Sequence, residues 1–140
     1  MIVKQVSVFV ENTVGRLADL TKILTDNNID LKASTIAETV DFGILRCIVE
    51  EPEKTVKMLV ENGFSASISE VTGVSLEDKP GGLHKVLAVL AEAGIAVNYI
   101  YSTIKSAEGK AIIMMKTSDA AKAEEVLKAS GVELAGADSF

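Results

Sequence analysis

The chain predicts an α+β fold in which one β-α-β-β-α-β unit occurs twice, and two observations carry that prediction. The first is an internal repeat: "ENTVGRLADLTKILTDNNIDL", beginning at Glu11, matches "EDKPGGLHKVLAVLAEAGIAV", beginning at Glu77, at an offset of 66 residues. Glu11/Glu77, Gly15/Gly81, Leu17/Leu83, Leu24/Leu90 and Ile29/Ile95 are identical, and Asn12/Asp78, Leu20/Val86, Ile23/Val89 and Leu31/Val97 keep their character. Duplication of a supersecondary unit is the plain reading. The second is hydrophobic periodicity, which passes from a strand period to a helix period in step with the repeat. Beyond the second turn the offset becomes 68, because "AETVDFG" is answered by the longer "TIKSAEGKA", and Ile44 then aligns with Ile112 and Gly63 with Gly131.

Val6, Val8 and Val10 alternate with Gln5, Ser7 and Phe9 as a first strand. Leu17, Leu20, Ile23 and Leu24 follow the helical period, and Asn27-Asn28 ends that helix, Asn28 answering to Gly94 as the left-handed cap. "IDLKASTIAE" and "GILRCIVE" read as two strands joined by a turn around Asp41–Gly43, the second apolar enough to lie centrally in a sheet. Pro52 opens a second helix with the stripe Val56, Leu59 and Val60, Gly63 caps it, and "FSASISEV" alternates as the last strand. The second copy repeats the order: strand Val74–Glu77, a helix from about Pro80 to Ala93, strands Ile95–Thr103 and Lys110–Lys116, a helix opened by Ser118 as N-cap and closed by Gly131, then "VELAGA". This is the split βαβ, ferredoxin-like arrangement, whose helices cover one face of a sheet. The two repeats are expected at residues 1–71 and 72–140. Only Thr72 and Gly73 separate Val71 from Val74, too short a linker for independent tumbling, so the repeats are expected to pack side by side in a fixed geometry.

Composition narrows the function. The formal net charge of −6, with 14 Lys and Arg against 20 Asp and Glu, removes the attraction on which nucleic-acid binding depends. An RNA-reading sheet of this topology would also need exposed aromatics, and aromatic residues make up 4% of the chain. No segment is apolar and long enough to span a bilayer, and Met1–Val10 has no signal-peptide core, so a cytoplasmic protein without membrane attachment is expected. Cys47 is the single cysteine, inside "ILRCIV", and reads as a buried small hydrophobe. One His and one Cys provide no soft metal site, and neither metal nor cofactor is expected.

A first strand ending in an acidic residue, a short polar turn, Gly-x-Leu, an apolar L-x-x-[IV]-L helix stripe, and "NNIDL" or "AGIAV" leading into the next strand resemble the ACT domain. The doubled chain resembles stand-alone tandem ACT proteins over essentially its whole length. "EDKPGGLHKVLAVLAEAGIAVNYIY" has the proline-glycine form of that family, whereas the first copy has Val14 where the proline would stand. The resemblance implies two ferredoxin-like ACT repeats and a non-catalytic module. It also implies an amino acid or similar metabolite held where the β1–α1 loop of one ACT unit meets its neighbour, and a regulated enzyme, if there is one, on a separate chain. The ligand-binding residues would be Asn12, Thr13, Val14, Gly15, Arg16 and Leu17 in the first loop, and Asp78, Lys79, Pro80, Gly81, Gly82 and Leu83 in the second, with Asn98 as an additional polar candidate. No catalytic residue is assigned.

The chemistry of the loops is compatible with that role. The first turn of a helix leaves N–H groups unpaired and carries partial positive charge, a place for a carboxylate. Gly15 and Gly81 let a ligand approach the backbone, and Asn12 and Asp78 can accept hydrogen bonds from an ammonium group. Asn12 and Asp78 are also readable as N-caps or turn formers, Pro80 as a first-turn proline, and the glycines as turn residues. Arg16 raises a different class, a small phosphatase of the acylphosphatase kind, but Gly82 stands at the matching place and Arg16 then reads as solvated surface. A purely structural interaction module is the third class. His84 falls beside the helix stripe and faces solvent or the rim of a site, Met114 and Met115 point to opposite sheet faces, and Tyr99 and Tyr101 share one. Apolar sheet residues such as Ile44, Ile48 and Ile112 would need cover, for which a homodimer is the simplest closure.

Overall fold

The computed structural model describes residues 2–140. Its elements are β1 Ile2–Glu11, α1 Arg16–Asp26, β2 Ala33–Glu38, β3 Phe42–Ile48, α2 Pro52–Glu61, β4 Ser65–Glu77, α3 Gly82–Glu92, β5 Val97–Ser102, β6 Lys110–Thr117, α4 Ala120–Ala129 and β7 Glu133–Leu134, then a 3₁₀ turn at Ala137–Ser139. The β-α-β-β-α-β order therefore runs twice, as expected. The two strands expected on either side of Thr72-Gly73 are, however, one unbroken strand, β4, of 13 residues. Thr72 pairs with Met115 and Gly73 with Met114, so antiparallel pairing continues through the place where a connection was expected.

The chain divides into two compact units, Lys4–Ser69 and Glu70–Phe140, the latter including Ile2 and Val3. In the first unit the strand order is β2-β3-β1-β4, with Val6 opposite Cys47 and Ala33 opposite Ile48 in antiparallel register. Val6, Val8, Val10, Leu45 and Cys47 turn one sheet face toward Leu20 and Leu24 of α1 and Leu59 of α2. In the second unit the order is β5-β6-β4-β7, the same arrangement by role, and Val74 and Met115 pack with Val86 and Leu90 of α3 and Ala123 and Leu127 of α4. Each fully buried leucine contributes about 1.5–3 kcal/mol relative to exposure, so these apolar faces hold the helices down. Cys47 is buried, and desolvation pushes its thiol up to about 12, as suits a packing residue.

Local capping accounts for the helix ends and corrects two expectations. Asn28 has φ 56° and Gly94 φ 71°. Ile29 N–H donates to Leu24 O and Ile95 N–H to Leu90 O, both at 2.9 Å, so the repeat positions Asn28 and Gly94 end α1 and α3 alike. The N-cap of α4 is Asp119, not Ser118: its carboxylate accepts from Lys122 N–H at 3.0 Å. Ser118 is committed elsewhere, its hydroxyl accepting from Ala96 N–H at 3.1 Å. The third helix begins at Gly82, not Pro80, because Gly81 at φ 87° breaks the helical path and leaves Pro80 in the turn before it.

Burial also changes which sheet residues need cover. Ile48 and Ile112 are already buried and Ile44 is half-buried. Phe9 and Phe42 stay open in the first unit, 52% and 40% exposed, their rings 5.6 Å apart. In the second unit the hydroxyls of Thr72 and Thr117 are buried without a hydrogen-bond partner. Position 72 corresponds to Val6 in the first repeat, a residue of the same shape without the hydroxyl. Thr72→Val is therefore expected to stabilise the protein by about 1 kcal/mol, since an unpaired buried hydroxyl keeps its desolvation cost. A rise in the urea midpoint at unchanged m-value checks it.

Candidate functional site

The loops after β1 and after the Glu77 end of β4 are built by the same hydrogen bonds. In the first, Asn12 N–H donates to Asp41 O at 2.9 Å, Thr13 N–H to Glu11 O at 2.9 Å, Arg16 N–H to Thr13 O at 3.3 Å and Asp19 N–H to Gly15 O at 2.9 Å. In the second, Asp78 N–H donates to Gly109 O at 3.0 Å, Lys79 N–H to Glu77 O at 2.9 Å, Gly82 N–H to Lys79 O at 3.0 Å and Lys85 N–H to Gly81 O at 3.1 Å. Gly15 and Gly81 are the N-cap residues, with φ of 85° and 87°, a left-handed conformation that side chains other than glycine adopt at a cost. Neither helix has a side-chain cap, so beyond the Arg16 and Gly82 amides, which the turns themselves engage, the Leu17 and Ala18 amides of α1 and the Leu83 and His84 amides of α3 are left for water or a ligand.

Asn12 and Asp78 are exposed and cap neither helix. The Asn12 amide donates to Glu38 Oε2 at 3.4 Å and Val40 O at 3.3 Å, which turns the amide nitrogen toward the β2–β3 loop. Asp78 makes no ion pair among the described residues. Thr13, Val14, Lys79, Pro80 and Gly81 line the exposed rims, Leu17 and Leu83 begin the apolar stripes of their helices, and Gly82 is buried. Lys79 forms an ion pair with Glu77, and chiefly through that hydrogen bond holds the Glu77 carboxyl below its ordinary value.

Arg16 is not solvated surface. Its guanidinium lies 4.0 Å from the centre of the Phe64 ring and 4.0 Å from the Asp19 carboxylate, with 27% of the side chain exposed. A planar cation stacked on an aromatic face loses little hydration and gains packing, the reason it leaves solvent here. His84 is exposed, and Met114 and Met115 are both fully buried. Tyr99 and Tyr101 share a face with their rings stacked at 6.5 Å.

Within the second unit Asn98 is not brought to the loop. Lys110 of β6 pairs with Glu77 beside the loop, whereas Thr117 at the other end of β6 pairs with Val97. Asn98 falls in the register shift next to Val97, roughly 20 Å along the strands at about 3.4 Å per residue.

Each loop borders a recess. The one at the first loop has a volume of about 110 Å³ and is lined by Asn12, Thr13, Leu17, Ile36 and Glu38 among others. The one at the second has about 380 Å³ and lies under α3, with Glu77, Gly82, Lys85, Lys110, Val132 and Glu133 in its lining. Of these, only Gly82 belongs to the residues that the sequence singles out. The signal for two others lies where the repeats differ: Lys85 replaces Asp19 and Val132 replaces Phe64 at matching positions. Among the described residues no cluster of His, Cys, Asp and Glu is arranged to hold a metal, and no helix is long and apolar enough to cross a membrane.

Two βαββαβ units, each with a glycine-capped first loop, define a duplicated ferredoxin-like class of domain. The family model for the ACT domain pair matches residues 1–138, and the chain belongs to that family. Among solved structures, a protein from Bacteroides thetaiotaomicron is 42% identical, with a TM-score of 0.92 over 99% of this chain and 95% of that one. The regulatory subunit of aspartate kinase from Thermus thermophilus, in its ligand-free form, shares the fold at 16% identity and a TM-score of 0.68, over 91% of this chain and 90% of that one. Its counterpart from Thermus flavus does so at 15% identity and 0.63, with the same coverage of 91% and 90%. No curated protein matches the chain.

Proposed function

We propose that the protein is a non-catalytic regulatory ACT pair that binds an α-amino acid beside a glycine-capped loop and acts on an enzyme carried by a separate chain. The observation that carries this reading is the loop built twice, with N-cap glycines at φ 85° and 87° and no side chain on the first-turn amides. Such amides suit a carboxylate, and the exposed Asn12 and Asp78 oxygens suit an ammonium group. The loops Asn12–Leu17 and Asp78–Leu83 are the two positions on offer, in repeats taken as residues 1–71 and 72–140. The commitment of Arg16 to Phe64 and Asp19 weighs against a phosphatase, which would need that guanidinium free to hold an anion. A separate enzyme chain as partner is the arrangement that the Thermus proteins' names state for themselves. The module would work in the cytoplasm.

A thermal-shift screen of the L-amino acids tests the reading. An amino acid present at about 100 times its dissociation constant should add about 2.7 kcal/mol of stability. Turnover of acyl phosphates or phosphate esters, with no amino-acid response, would replace it with the phosphatase reading. A homodimer is also proposed, supported by the exposed Phe9 and Phe42 of the first unit. Sedimentation equilibrium is expected to give twice the chain mass at micromolar concentration, and a monomer throughout would remove that proposal.

A further inference from the structure

Three matching positions differ together between the repeats, and all three border the same place. Arg16, Asp19 and Phe64 of the first unit correspond to Gly82, Lys85 and Val132 of the second. In the first, Arg16 lies on Phe64 and reaches Asp19, so its own side chains fill the space under the start of α1. In the second, a glycine, a shorter apolar residue and a lysine stand there, and a cavity of about 380 Å³ is open. That volume falls within the range of about 300–1,000 Å³ usual for small-molecule sites, whereas the 110 Å³ recess at the first loop does not. A groove of about 270 Å³ between α1 and β2 of the first unit is lined by Leu17, Thr21, Leu31, Ser34, Thr35, Ile36 and Leu45, without a charged group for a zwitterion.

The chemistry of the open cavity is that of a zwitterion with an apolar tail. Glu77 is tied to Lys79 and Glu133 to Lys110, while Lys85 has no ion pair among the described residues. Lys85, whose charge also helps hold the Glu77 carboxyl down, is thus the cation placed to meet a ligand carboxylate, and the Glu77 and Glu133 oxygens not engaged by those lysines remain for an ammonium group. Val86, Val89 and Val132 form an apolar wall that matches an aliphatic side chain.

We propose that the second unit's cavity, and not its counterpart in the first, is the amino-acid site, so that one chain binds one molecule of an aliphatic α-amino acid. This rests on the regulatory reading above and assigns its site and ligand class. Full-length protein is dialysed to equilibrium against radiolabelled L-valine, L-leucine and L-isoleucine, with L-glutamate and L-arginine as charged comparators and the remaining L-amino acids screened unlabelled by thermal shift. The expected result is one aliphatic amino acid per chain. Lys85→Asp, an exposed position that leaves the fold intact, should weaken binding at least tenfold, and Lys85→Arg should restore it to within a few fold. Val132→Phe, which installs the first repeat's residue, should also weaken it at least tenfold if circular dichroism shows it folded. Two molecules per chain, preference for a charged amino acid, or a Lys85→Asp affinity within twofold of wild type would overturn this assignment and leave the amino-acid reading standing. If no L-amino acid binds at millimolar concentration, the regulatory reading fails and this one with it.

Discussion

Gly73→Val is expected to lower stability by at least about 3 kcal/mol, the largest effect of any single substitution considered. A Cβ at Gly73 would lie 2.2 Å from the carbonyl oxygen of Ala135 and 3.1 Å from Met114 Cε. The methionine tip can move, but the carbonyl belongs to a backbone held in place, since Ala135 N–H donates to Gly73 O at 2.9 Å. Relieving the overlap means pushing the Glu133–Leu134 strand off β4, which loses its pairing at Val74 and Ser75 as well. Overpacking typically costs about 1–3 kcal/mol and each lost backbone bond about 1 kcal/mol, so the sum exceeds either alone. The first repeat carries Ser7 at this position, so the requirement for glycine belongs to the second unit. Urea unfolding followed by circular dichroism would measure the loss. A change below about 1 kcal/mol would mean that β7 gives way freely and contributes little to the unit.

How much of this was legible in the sequence depends on whether a feature repeats or differs. The strand and helix order, the left-handed positions Asn28 and Gly94, and the buried Cys47 follow from periodicity and from pairs that agree at offset 66 or 68. Each agreement states the same local physics twice, which is why those elements are found where they were expected. The misses are places where a residue has competing uses. Ser118 is a good N-cap by type, but hydrogen bonding to Ala96 takes its hydroxyl, and no local pattern reports a partner 22 residues away. Arg16 beside a candidate loop reads as solvated because the Phe64 ring that removes it from water is 48 positions on. The glycine-capped loops were visible because they recur, whereas the large cavity beside one of them comes from three positions that do not. Asn98 was attractive by polarity, and only strand register shows it at the far end of β5.

Gly81→Val is expected to abolish amino-acid binding and to cost about 1–3 kcal/mol of stability, two effects that can be separated. Gly81 sits at φ 87°, and nothing lies within 4 Å of a Cβ placed there, so the stability cost comes from the backbone alone. Gly15 has φ 85° with the same open surroundings, and Gly15→Val is therefore the matched control for stability: both variants should lose similar amounts in urea unfolding. Binding should respond differently at the second loop, because relieving a left-handed valine rotates the peptide into Gly82. Gly82 is buried close against the end of β4, where a Cβ on it would lie 2.1 Å from Glu77 O, and it lines the cavity. Movement of that peptide is expected to reshape the cavity where Gly82 lines it and to weaken binding there. Isothermal titration should show the affinity of the Gly81→Val protein reduced at least a hundredfold, with its helical circular dichroism retained because the Leu83–Leu90 stripe is untouched. Binding at wild-type affinity in a folded Gly81→Val protein would reduce Gly81 to a turn former and move the amino acid away from the second loop.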